Sequence, residues 1–414
     1  MTVELAQQAG RIAAGVADRL ATPDLGQAIA EAWWPQSLAH GAAGVALLHA
    51  ERAAAGEGPW ERAHDWLACA VEGGVVGGAD SHLYHGVVAT AFAVHAAGRV
   101  GRYQRASATL DARIDVDTRV RLDLAHARID AGRRPALAEY DAIRGLTGIG
   151  AYLLRRHPDG DLVRRVLSYL VRLTEPADDG GERVPGWWTD LAPSGKPSPA
   201  FPGGHGNLGV AHGIGGPLAL LALSLRHGVR VDGQVEAIGR ICAHLDQWRQ
   251  HTTAGQWWPY WITRAQWRDG HPGAGPARPS WCYGTAGLAR AQQLAALAVG
   301  DGGRQAMAET ALVAALTDPI QVGMVTDRSL CHGTAGLLHL ARVAAADAAS
   351  PDLAEVPRRL LTTLLDDPGS TPVALLGGGD IGLLEGAAGV ALALHTAYAG
   401  TAAVSGWDSC LLIT

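Results

Sequence analysis

An all-α chain, with inner and outer helices alternating around a ring, is what three features of this sequence predict. The first is a repeat. Seven times a glycine opens a run rich in Ala and Leu, at Gly41, Gly86, Gly145, Gly213, Gly284, Gly333 and Gly386. In six of these a second glycine stands three residues on, at Gly44, Gly148, Gly216, Gly287, Gly336 and Gly389, and only the HGVVA stretch at His85 departs. The second feature is what lies between the openings: amphipathic segments such as DLVRRVLSYLVRLT from Asp161 and QVEAIGRICAHLDQW from Gln234, with charged residues gathered on one side. The third is length. A chain of 414 residues exceeds what one compact core usually supports, and the repeats favour a ring over separate domains, so residues 1–414 are expected to form one domain.

Each element follows from its residues. The runs after the openings hold few β-branched residues and read as helices. Glycine at such a start lets the backbone turn sharply, and a second glycine on the same helical edge lets a neighbouring element approach closely. Two gaps break the helical pattern, near 176–204 (GWWTD, then PSGKPSPAFPGG) and near 256–268 (QWWPYWITRAQW). Aromatic and β-branched residues between Pro and Gly there predict short β-hairpin insertions, whose tryptophans either face substrate or plug the rim.

The residue before each opening glycine is polar in all seven units: His40, His85, Arg144, His212, Tyr283, His332 and Glu385. If the helix starts point inward, these side chains line a wet central cleft, where polar groups find partners. For His40 and His85 the expected role is the plainer one, hydrogen bonding to nearby backbone.

One position further back, two consecutive units carry Cys282 and Cys331, and His332 adjoins the second. Two thiolates and an imidazole favour zinc over hard cations, and three protein ligands leave a tetrahedral position open, as a catalytic site requires. The alternative is a pair of buried cysteines that recur for packing. Five cysteines in all, with an N-terminal stretch that reads as an amphipathic helix and not as an export signal, predict a reducing, cytoplasmic setting. A net charge of -6 without a Lys/Arg-rich run argues against nucleic acid as a partner, and no apolar run is long enough for a transmembrane segment.

The stretches SWCYGTAGLA from Ser280, CHGTAGLLHL from Cys331, GNLGVAHGIGG from Gly206 and AEYDAIRGLTGIG from Ala138 resemble the LanC-like family, the lanthionine synthetase C or lanthipeptide cyclase group. The resemblance runs through the whole chain to Trp407-Asp408 near the end. It implies an α/α toroid of seven inner and seven outer helices with zinc on Cys282, Cys331 and His332. The implied reaction is a Michael-type addition of cysteine thiols in a dehydrated, leader-bearing precursor peptide to dehydroalanine or dehydrobutyrine, giving (methyl)lanthionine thioether rings. A separate dehydratase is the implied partner, in the manner of class I cyclases. His212 matches the family's acid/base histidine and Asp141 another active-site position. Arg278, Trp281 and Tyr283 match around the first zinc cysteine, where Arg278 would steady an enolate and the two aromatics would shape the pocket or position His212. For Asp141, a helix cap or an ion pair with Arg144 stands as the alternative. Two other readings stay open: a zinc enzyme adding another thiol, such as glutathione, to an electrophile, and a non-catalytic peptide-binding scaffold.

Overall fold

All seven glycine openings run directly into α-helices in the computed structural model, which describes residues 3–31, 33–98 and 101–414. These helices are Ala42–Ala54, Gly86–Ala97, Leu146–Arg156, Gly215–Arg226, Thr285–Val299, Thr334–Ala346 and Ala387–Ala399. They are largely buried, the last from Ala387 through Ala397, as expected of helices enclosed by others. The amphipathic segments between them form the complementary set. Asp161–Leu173 buries Leu162, Val166, Tyr169 and Leu170 and leaves Arg164 and Arg165 part-exposed.

Backbone packing explains why the second glycine recurs. The N–H groups of Gly44, Gly148, Gly287, Gly336 and Gly389 donate to the carbonyls of Ser37, Asp141, Ser280, Ser329 and Gly382, each seven residues back. The incoming loop therefore lies flat across the first helical turn. A Cβ on Gly336 would sit 1.9 Å from the Leu330 carbonyl oxygen, so no side chain fits.

The chain forms two compact units, Met1–Ile114 with Val325–Cys410, and Asp115–Met324 with Leu411–Thr414. In the first, the opening helix Ala387–Ala399 packs against Thr334–Ala346, against Ala42–Ala54 and against the amphipathic Val3–Arg19; Ala42–Ala54 also meets Gly86–Ala97. Neighbouring openings are stitched by main-chain hydrogen bonds: Cys331 N–H to Leu384 O, Leu383 N–H to Leu38 O, and Leu38 N–H to Tyr84 O. In the second unit Gly215–Arg226 lies between Leu146–Arg156 and Thr285–Val299. The equivalent bonds there run from Ala142 N–H to Ala211 O and from Val210 and Ala211 N–H to Cys282 O. Within each unit these bonds bring the residues just before successive opening glycines side by side.

Short antiparallel strand pairs, two of them hairpins, complete the second unit. Ala177–Asp179 pairs with Glu182–Val184, Gln250–His251 with Gln256–Trp257, and His205–Asn207 with Trp261–Thr263. Most of the tryptophans in these segments are core: Trp187, Trp188, Trp257 and Trp258 are buried. Trp188 Nε1–H donates to Gly203 O and Trp258 Nε1–H to Leu245 O, which satisfies the one polar atom each indole takes inside. Trp261 and Trp267 are half-buried, and Trp261 turns its edge to Tyr283 at 6.1 Å between centroids.

Candidate functional site

A recurring turn precedes four of the opening helices, and the site is built on it. The fourth residue before the glycine accepts the N–H of the residue just before the glycine: Ser37 Oγ from His40, Ser280 Oγ from Tyr283, Ser329 Oγ from His332. In the third opening this residue is Asp141, and its Oδ1 takes the N–H groups of Arg144 at 2.6 Å and Gly145 at 2.8 Å. A serine is then used up, but a carboxylate has a second oxygen. Asp141 Oδ2 lies 2.7 Å from Nδ1 of His212, in the next opening. Asp141 is thus both a turn residue and an ionisable partner, and the partner is His212 and not the Arg144 side chain.

This pairing fixes the ring. With Nδ1–H donated to Asp141, the nitrogen carrying the lone pair in the neutral imidazole is Nε2. The Asp141 side chain is 1% exposed and the His212 side chain 35% exposed, so the carboxylate is enclosed while the ring reaches solvent.

Tyr283 stands beside His212, ring centroids 6.3 Å apart. Its hydroxyl accepts from Asn207 Nδ2 at 3.1 Å, and Gly209 leaves room for its ring, since a Cβ there would be 2.7 Å from it. Asn207 is held at the end of the His205–Asn207 strand and by Gly209 N–H, which donates to its Oδ1. Arg278 is half-buried, and its Nε is buried without a hydrogen-bond partner among the described residues. Its carbonyl accepts from Tyr260 Oη and crowds Gly284, which adopts φ +82°. Trp281 lies beside Cys282 in the chain. It is 1% exposed and donates Nε1–H to Leu411 O at 2.8 Å, anchoring the C-terminal segment. Trp407 and Asp408 are also internal: Asp408 Oδ2 meets His339 Nε2 at 2.9 Å, and both side chains are buried.

Among the described residues, Cys282, Cys331 and His332 form a group able to hold a metal ion, with one ligand atom from each lying within 4.8 Å of the others. Two sulfurs and one imidazole nitrogen are a soft set that suits zinc and falls one short of a closed tetrahedron. Ser280 Oγ lies 3.4 Å from Cys282 Sγ, and Asp327 Oδ2 lies 3.4 Å from His332 Nε2. The other cysteines differ in kind. Burial pushes the Cys242 thiol up to about 11 and raises that of Cys69, and Cys410 donates to Trp407 O. No described cysteine is in a disulfide.

Sequence reasoning passed over three polar side chains on these turns. Asn207, Asp327 and Asp380 all stand six residues before an opening glycine, a register visible in the sequence once the openings are aligned. Asp380 Oδ2 holds His40 Nδ1 at 2.8 Å, so His40 takes a side-chain carboxylate as partner, where backbone was expected.

Among the described residues, no helix is long and apolar enough to cross a membrane. Residues 32–412 match the family of lanthionine synthetase C-like proteins. The chain is 24% identical over 206 residues to the nisin biosynthesis protein NisC of Lactococcus lactis subsp. lactis, a match spanning 49% of this chain and 48% of that protein, or about half the length of each. The solved structure of nisin cyclase superimposes with a TM-score of 0.77 at 19% identity, covering 100% of this chain and 98% of that one. That likeness shows the fold to be the one the sequence resemblance implied. With its family matched from the first opening to the last, the chain belongs to the lanthionine synthetase C-like proteins.

Proposed function

We propose that this protein is a zinc-dependent lanthipeptide cyclase, closing (methyl)lanthionine rings in a dehydrated precursor peptide that still bears its leader. The observation that carries the reading is the pairing of two chemistries in one family member: a Cys282, Cys331 and His332 donor set and a histidine, His212, oriented by a carboxylate. Bound zinc would supply Lewis acidity, lowering the pKa of a thiol so that it is a nucleophile near neutral pH.

The remaining work falls to this chain's side chains. As the S–C bond forms at the β-carbon of the dehydro residue, the alkene π pair moves onto the α-carbon and its carbonyl. Arg278, with its unpaired Nε, answers the negative charge that develops on the carbonyl oxygen. Protonated His212 then delivers a proton from Nε2 to the α-carbon, while Asp141 holds Nδ1 and stabilises the cation before transfer. The thiol's proton leaves to solvent, from which His212 is recharged. Tyr283, fixed by Asn207, packs beside the His212 ring and limits its swing. A separate dehydratase would supply the alkene, and the cytoplasm would keep Cys282 and Cys331 reduced.

The test is direct. Purified protein should carry one zinc per chain, and Cys282→Ala or Cys331→Ala should lose it. With dehydrated peptide, the wild type should convert alkylatable cysteines to blocked thioethers faster than spontaneous closure. Cysteines that stay alkylatable at the spontaneous rate would sink the cyclase reading.

A further inference from the structure

We propose that Asp327 is the positioning residue of the candidate metal centre, holding His332 by Nε2 so that Nδ1 is the ligand atom; this rests on the zinc reading above.

The argument starts from the turn. Asp327, Asp380 and Asn207 occupy the same position, six residues before an opening glycine. Each spends one side-chain oxygen on the turn itself: Asp327 Oδ1 accepts Ser329 N–H at 2.8 Å, Asp380 Oδ1 accepts Gly382 N–H at 2.9 Å, and Asn207 Oδ1 accepts Gly209 N–H at 3.1 Å. In all three the second terminal atom is then aimed, by a rigid main-chain-bonded turn, at the residue preceding an opening glycine. Asp380 Oδ2 meets His40 and Asn207 Nδ2 meets Tyr283, each in another opening, whereas Asp327 Oδ2 meets His332 Nε2 of its own opening at 3.4 Å. Three openings thus hold one terminal atom of this residue on the turn and leave the other for the side chain before an opening glycine, and in the Asp327 case that side chain is its own turn's His332.

The third case concerns a metal ligand. A ligating imidazole must be neutral at its donor nitrogen, and an outer carboxylate on the other N–H selects the tautomer and sets the ring plane. Asp327 sits where that carboxylate belongs. Asparagine would keep the turn, as Asn207 does. Its Oδ1 would stay on Ser329 N–H, and its Nδ2 would face His332 Nε2–H, donor against donor.

Asp327→Asn is therefore the discriminating variant, with Asp380→Asn as its control on an equivalent turn. Zinc dissociation constants, read by competition with a chromophoric chelator on the full chain, should rise roughly 10–100-fold in Asp327→Asn and stay at the wild-type value in Asp380→Asn. The melting temperature of the zinc-free chain should be the same for Asp327→Asn and wild type, which separates ligand positioning from loss of fold. Wild-type zinc affinity in Asp327→Asn, or equal weakening in both variants, would overturn the proposal. A wild-type chain that takes up no zinc would overturn the metal reading itself.

Discussion

The Asp141–His212 and Asp380–His40 pairs are nearly the same object placed in different surroundings. In each, a histidine just before an opening glycine gives Nδ1 to a carboxylate from another opening's turn, at 2.7 Å and 2.8 Å. The carboxylates differ: Asp141 is 1% exposed and Asp380 29%. The neighbours differ as well. His212 has the Tyr283 ring beside it, itself held by Asn207, whereas His40 has the edge of Trp34, which is 56% exposed, and the carboxylate of Glu385 nearby. The repeat supplies a carboxylate-oriented imidazole more than once, and enclosure with a fixed aromatic neighbour distinguishes the one read here as catalytic.

The largest expected effect breaks this comparison at its centre. His212→Gln should slow ring closure by roughly 10²–10⁴-fold, the usual worth of a general acid, while His40→Gln should leave the rate within about twofold of wild type. Equal losses in both, measured as single-turnover rates on dehydrated peptide, would mean that the surroundings do not set the role. A smaller effect should come from the carboxylate. Asp141→Ser installs the residue that Ser37, Ser280 and Ser329 supply in other openings, so the turn should survive, with urea unfolding shifted by only about 1 kcal/mol. The His212 ring would lose its Nδ1 partner, and kcat should fall by roughly 10–100-fold with KM little changed.

The smallest effect is in titration. The hydrogen bond to Asp380 raises the pKa of His40 above the ordinary imidazole value. A raised folded-state pKa means that this pair adds stability in full below about pH 6.5 and loses it as pH rises through the folded value. Following the His40 ring protons by NMR should show the raised midpoint in wild type and its return toward about 6.5 in Asp380→Asn. An unchanged midpoint would show that the pair does not form in solution.

Much of the architecture was legible because it is enforced locally. A glycine that must pass under a carbonyl six residues back leaves its mark at a fixed spacing, so Gly44, Gly287, Gly336 and Gly389 announce their helices without knowledge of anything distant. The candidate zinc ligands were readable for the same reason, since Cys282 and Cys331 share one register of the repeat. Trp281 shows where this stops: its indole donates to Leu411 O, 130 residues away, and no local pattern records that bond. The tryptophans of the strand-containing segments likewise divide between the core and the half-buried Trp261 and Trp267 by packing alone.

The sequence by itself determined the helical class, the places where helices begin, and the residue types presented at each opening, because turns and helix starts are settled by neighbours within a few positions. Tertiary structure alone decided which histidine meets which carboxylate. Asp141 and His212 are 71 residues apart and His40 and Asp380 are 340 apart, and no local pattern records such a pair. Main-chain hydrogen bonds between successive openings set those side chains next to each other, and the second oxygen of a turn carboxylate does the rest.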